Sequence, residues 1–172
     1  MAKKEDQANG VEGEVTSQGD APEFGMMVHK QYIKDFSFEN PNSPETLGGG
    51  QTQPKMEANI NMQAISLDKE KNLYEVVMHV NVTSQRESKV LFHVELQYGL
   101  VASVQGAVPE EHHHPLLLIE GPKMAFPFVR QILANTIQAG GYPPLLLNPV
   151  NFEELYKKQY LSQQQEQAAG NA

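Results

Sequence analysis

From Met56 onward apolar and polar residues alternate, with Met56, Ala58, Ile60 and Met62 on one side and Glu57, Asn59, Asn61 and Gln63 on the other. Period two is the mark of a strand with one buried face. Tyr74, Val76, Met78, Val80 and Val82 repeat it against Glu75, His79 and Asn81, and Val90, Phe92, Val94, Leu96 and Tyr98 repeat it against His93, Glu95 and Gln97. From Met26 to Phe38 the pattern is broken by Lys30 and Lys34, yet Asp35, Ser37 and Glu39 still fall together, which predicts an edge strand. Short turns at 68–72 and 84–88 favour antiparallel hairpins. After Val108 the period becomes helical: Phe128, Val129, Ile132, Leu133, Thr136 and Ile137 are three or four apart, with Pro127 in a first turn and Gly140-Gly141 as the stop. Residues 142–150 carry three prolines and are expected to be extended, and Asn151 with Glu154 opens a second helix that runs to about Leu161. Strands first and helices second predict an α+β fold, a four-stranded antiparallel sheet with two C-terminal helices packed on one side.

Composition divides the chain. Residues 1–24 hold two lysines against six acids and almost no large apolar residue, and 163–172 are rich in Gln, so both read as disordered tails around a domain at 25–162. The net charge of −8 disfavours nucleic acid and anionic membranes as partners. Without cysteine there is no disulfide, thiolate nucleophile or zinc ribbon. No apolar stretch of signal-peptide or membrane-spanning length follows the Met-Ala-Lys-Lys-Glu-Asp opening, so the expected setting is the cytoplasm, without membrane insertion.

Catalytic chemistry is sparse. His112, His113 and His114 read as a polar loop before Pro115, with Glu110-Glu111 in the same loop. A metal-dependent enzyme would have to use that cluster, from which adjacent side chains of an extended chain diverge. Gly48-Gly49-Gly50 has no phosphate-binding context. Neither a cofactor nor a metal is expected, nor enzymatic activity.

Two other features remain. Asp35, Glu39, Glu57, Glu75 and Glu95 would share the polar sheet face, either as a solvated surface or as a platform for a basic partner. Leu145, Leu146 and Leu147 beside Tyr156, with Ile60 and Met62 from the sheet, form either core and interface or a groove for apolar peptide segments.

Tyr-Ile-Lys-Asp-Phe-Ser-Phe-Glu-Asn-Pro-Asn at 32–42, Tyr-Glu-Val-Val at 74–77, Phe-Pro-Phe-Val-Arg at 126–130 and Gly-Gly-Tyr-Pro-Pro-Leu-Leu-Leu-Asn-Pro-Val-Asn-Phe at 140–152 resemble SecB, the bacterial protein-export chaperone family. Val129 and Ala125 depart from that pattern, where alanine and leucine are usual. The resemblance implies a dimer of dimers and an ATP-independent holdase that keeps precursor proteins unfolded and delivers them to the motor ATPase SecA. It places Asp35, Glu39 and Glu95 opposite the basic zinc-binding tail of SecA, with His93 and Tyr98 at neighbouring positions, and any zinc belongs to the partner. The residues themselves point to a homotetramer with two-fold symmetry: Phe92, Val94 and Leu96, with Tyr98 on the same strand face and the helix at 127–139, present more apolar surface than two helices would cover. An adaptor that binds one folded partner is the rival reading.

Overall fold

The computed structural model describes residues 25–50 and 52–161; the expected tails at 1–24 and 163–172 lie outside them. Four strands, β1 (Gly25–Glu39), β2 (Lys55–Asp68), β3 (Leu73–Arg86) and β4 (Lys89–Gln105), precede α1 (Glu110–Ala139) and α2 (Phe152–Tyr156), which continues as a π-helical turn over Lys157–Leu161. The strands form one antiparallel sheet in the order β1-β4-β3-β2, so β1 is an edge strand and the hairpins are β2-β3 and β3-β4.

The irregular pattern of β1 has a simple cause. Register slips at His29 and at Lys34 each insert one residue, as a β-bulge does. Met26, Val28, Gln31, Ile33, Phe36 and Phe38 therefore stay beside Val104, Ala102, Leu100, Tyr98, Leu96 and Val94, all on one face of the sheet. α1 packs on that face: a Cβ at Gly121 would stand 3.1 Å from Leu100, and Gly140 abuts the ring of Phe38.

The long helix corrects the sequence expectation in two ways. It starts at Glu110, so Glu110-Glu111 and the three histidines lie in its first turns, where acids suit the positive end of the helix dipole. Pro115, Pro122 and Pro127 are inside it, none of them in a first turn. An interior proline costs about 3 kcal/mol. Against that, Leu117, Gly121, Ala125, Val129, Leu133 and Ile137 recur every four residues on the buried side, flanked by Leu118 and Phe126. At about 1.5–3 kcal/mol for each large apolar side chain buried, the continuous stripe outweighs the breaks.

α2 opens as expected. The Asn151 side chain accepts from the backbone N–H of Glu153 and Glu154, at 3.2 Å each, and Phe152 stands edge-on to Phe126 of α1. The helix closes the free edge of β2 with polar side chains. Gln159 Nε2 donates to Ile60 O at 2.8 Å, and the Tyr160 hydroxyl donates to Met62 O.

Candidate functional site: an acidic open face and two pockets around α2

The sheet face away from α1 is uncovered by any helix among the described residues. Register sets its side chains in rows across the strands. At one end stand Glu39, His93, Thr83 and Glu57, then Ser37, Glu95, Asn81 and Asn59, then Asp35, Gln97, His79 and Asn61. Asp35, Glu39, Glu95 and His93 are thus brought together as expected. The His93 imidazole bridges Thr83 Oγ1 at 2.8 Å and Glu95 Oε1 at 3.1 Å, and a depression of about 220 Å³ lies between Asp35, His79, Asn81, Glu95 and Gln97.

The five acids of this face are not equivalent. Glu57 is paired with Lys55 at 2.8 Å. Glu75 is buried, held by Lys34 Nζ at 2.7 and 2.8 Å and by the Tyr32 hydroxyl. Asp35, Glu39 and Glu95 have no lysine or arginine partner among the described residues. Alternation alone groups all five, and only the packing separates Glu57 and Glu75, which have cationic partners, from Asp35, Glu39 and Glu95.

Lys34, and then Tyr32, hold the Glu75 carboxyl below the ordinary value near 4.5, while the bond to Glu75 pushes the Tyr32 phenol up to about 12. A depressed carboxyl contributes stability that is fully present above its unfolded value and is lost as pH falls through its folded value. Glu75→Gln is therefore expected to cost about 1 kcal/mol at pH 7, a modest figure because Lys34 is part-exposed. It should also flatten the dependence of the melting temperature on pH below 4.5, which scanning calorimetry would measure.

Other assignments are corrected. Tyr98 pairs with Met78 and Ile33 on the helix-side face, 7% exposed, so it stands apart from the acids. Phe92, Val94 and Leu96 are at most 2% exposed, the floor of the protomer's own core, and offer no surface to a second copy. Exposed apolar side chains on that side include Ile33 and Phe36 of β1, Met56 of β2 and Met124 and Phe128 of α1. The three histidines diverge because they lie on a helix. His113 is buried, bonded to the Tyr74 hydroxyl at 2.9 Å and to Val108 O at 3.0 Å. His114 meets Tyr156 Oη at 3.0 Å and the edge of Tyr160, and burial lowers its pKa. Among the described residues no three His, Cys, Asp or Glu side chains are placed to hold a metal.

The expected groove is divided. Leu145 and Leu147 turn inward against the core while Leu146 is exposed, as alternation in an extended segment requires, and Met62 is buried. Ile60 lines a mostly polar pocket of about 420 Å³ with Ala58, Asn59, Asn61, Val150, Leu155 and Gln159. Tyr156 lines another, of about 330 Å³, with Pro115, Leu116 and Ile119 of α1. Val150, Leu155 and Gln159 were missed, although the cap at Asn151 places Leu155 and Gln159 one turn apart on a single helix face. Leu116 and Ile119 were missed with the first half of α1.

The family profile described as preprotein translocase subunit SecB matches residues 18–165. The chain belongs to the SecB family. It is 40% identical over 154 residues to the protein-export protein SecB of Bartonella bacilliformis, covering 90% of this chain and 94% of that one. To that of Rhodospirillum centenum it is 39% identical over 165 residues, 96% of each chain. The fold is also that of a SecB-like chaperone of Mycobacterium tuberculosis, solved in complex with a peptide from an antitoxin. That likeness has a TM-score of 0.61 at 10% identity, over 73% of this chain and 91% of the other. Membership in SecB makes the chain a protein-export chaperone. No helix among the described residues is long and apolar enough to cross a membrane.

Proposed function

We propose that the protein is an ATP-independent holdase of the cytoplasm: it binds unfolded precursor proteins at the pockets beside α2 and hands them to SecA through the open sheet face. The observation that carries this reading is the separation of two unlike surfaces. Asp35, Glu39 and Glu95 have no lysine or arginine partner among the described residues and lie on a face that no described helix covers, while the apolar pocket of Tyr156, Leu116 and Ile119 lies between α1 and α2; the more polar pocket at Ile60, Val150 and Leu155 borders the open face through Asn59 and Asn61. Client and motor can then be held at once. His93 belongs to the dock through its bond to Glu95, whereas Tyr98 acts through packing beneath it. Assembly as a homotetramer, a dimer of dimers, is supported by exposed Ile33, Phe36, Met124 and Phe128, apolar surface that a second copy would cover.

Dilution of a denatured test protein, with and without the chain, tests the holdase by light scattering: aggregation is suppressed without ATP, and the native form of the same protein is not bound. Selective binding of a native protein instead would favour a single-partner adaptor. The dock is tested by Asp35→Lys, Glu39→Lys and Glu95→Lys. Each is expected to weaken SecA binding about tenfold and to reduce its salt dependence, since charge attraction is screened over about 10 Å at 0.1 M salt. Unchanged affinity for all three would remove the assignment.

A further inference from the structure

Beyond the acidic rows, the open sheet face changes character. Its next rows are Tyr32, Gly99, Val77 and Gln63, then Lys30, Val101, Glu75 and Ile65. The Tyr32 ring occupies the place a side chain at 99 would take: a Cβ there would lie 2.6 Å from Tyr32 Cζ. From β1 the ring thus crosses β4 to reach Glu75 on β3. Together with the Lys34 ammonium it neutralises the one acid of this half and seals Val77, which is fully buried. What remains at the surface is an apolar strip of Tyr32 (36% exposed), Ile65 (44% exposed) and part-exposed Val101, interrupted on β2 by exposed Gln63. Lys30, exposed in the same row, adds positive charge.

Resting on the docking role given above to this face, we infer that its two halves read one partner segment in a fixed direction: cationic side chains settle at Asp35, Glu39 and Glu95, and an apolar side chain of the same segment settles on Tyr32 and Ile65. Three features support this. Charge runs along the face, with Asp35, Glu39 and Glu95 lacking lysine or arginine partners among the described residues at one end and Lys30 at the other, so a cationic side chain is attracted to the first and repelled from the second. The apolar half is continuous with the dock, one row beyond Asp35. Glu75, which would otherwise blur the boundary, is silenced by two partners from β1. Glu95 and Val101 are six residues apart on β4, about 20 Å at the rise of a strand. An extended segment bound along the face would therefore carry its apolar side chain about six residues from its cationic ones.

Calorimetry of purified SecA against the full chain tests it, with Ile65→Thr, Ile65→Val and Glu95→Lys as variants. Threonine keeps the β-branched shape at an exposed edge position, so the fold is retained. Ile65→Thr is expected to weaken binding five- to tenfold, about the value of covering the rest of one isoleucine, equally at low and high salt. Ile65→Val is expected to stay within about twofold of wild type. If Ile65→Thr binds as wild type while Glu95→Lys weakens binding, the acids alone are read and the two-part reading is wrong although the dock stands. If neither changes affinity, the dock itself is overturned and the inference with it.

Discussion

Affinity for unfolded polypeptide is expected to rise by two to four orders of magnitude from a short apolar peptide to a full-length unfolded chain. The pockets beside α2 hold about 420 and 330 Å³, room for one or two side chains each. Covering roughly 200 Å² of apolar surface is worth on the order of 5 kcal/mol before the segment pays for its own ordering. A single pocket therefore binds weakly. Once one segment is seated, every later contact of the same client is intramolecular, and effective concentration raises affinity by about 10² to 10⁴. The two pockets of a protomer begin this effect, and the proposed tetramer would multiply it. Folded proteins expose no continuous apolar segment and gain none of it. Leu155→Ser with Ile60→Ser is expected to impair holdase action more than SecA binding. Equal calorimetric affinities for a short peptide and the full-length client would show that clients are held one segment at a time.

Leu96→Arg is expected to unfold the protomer, whereas Phe128→Arg is expected to divide the assembly and leave the protomer folded. Leu96 is 1% exposed, between Val80 of β3 and Phe36 of β1, and no acid among the described strand residues stands beside it on that face. Arginine there loses the burial of a leucine and sets an unpaired charge in the core, a cost of about 4 kcal/mol or more, which is a large part of the stability of a domain this size. Phe128 is 48% exposed on the outer side of α1, beside exposed Met124, and an arginine at 128 extends into solvent in the isolated protomer. Sedimentation and circular dichroism separate the outcomes. A folded, smaller Leu96→Arg species would return Leu96 to an interface between copies; an unchanged tetramer for Phe128→Arg would clear the outer face of α1 of that role.

The sequence by itself determined much of the sheet. Alternation at 56–63, 74–82 and 92–98 gave three strands on their true faces, because period two follows from the pleat and needs no partner, whereas a register slip at Leu91 turns Val90 to the open side. It also placed Asp35, Glu39 and Glu95 on one polar face before any register was known, and the cap at Asn151 marked the start of α2 through a bond two to three residues away. Interactions that close within a few residues are legible in this way. Tertiary structure decided the rest, since the deciding contacts are distant in sequence. α1 runs from Glu110 through three prolines because its four-residue stripe finds a sheet to cover, and no local propensity predicts that. Glu75 is withdrawn from the acidic set by Tyr32 and Lys34, more than forty residues away and reachable only once two bulges set the register of β1. Phe92, Val94 and Leu96 are core and Phe128 is surface because α1 covers the first three and leaves its own outer side bare. That choice belongs to packing, which an apolar pattern records only as a face, without saying what will cover it.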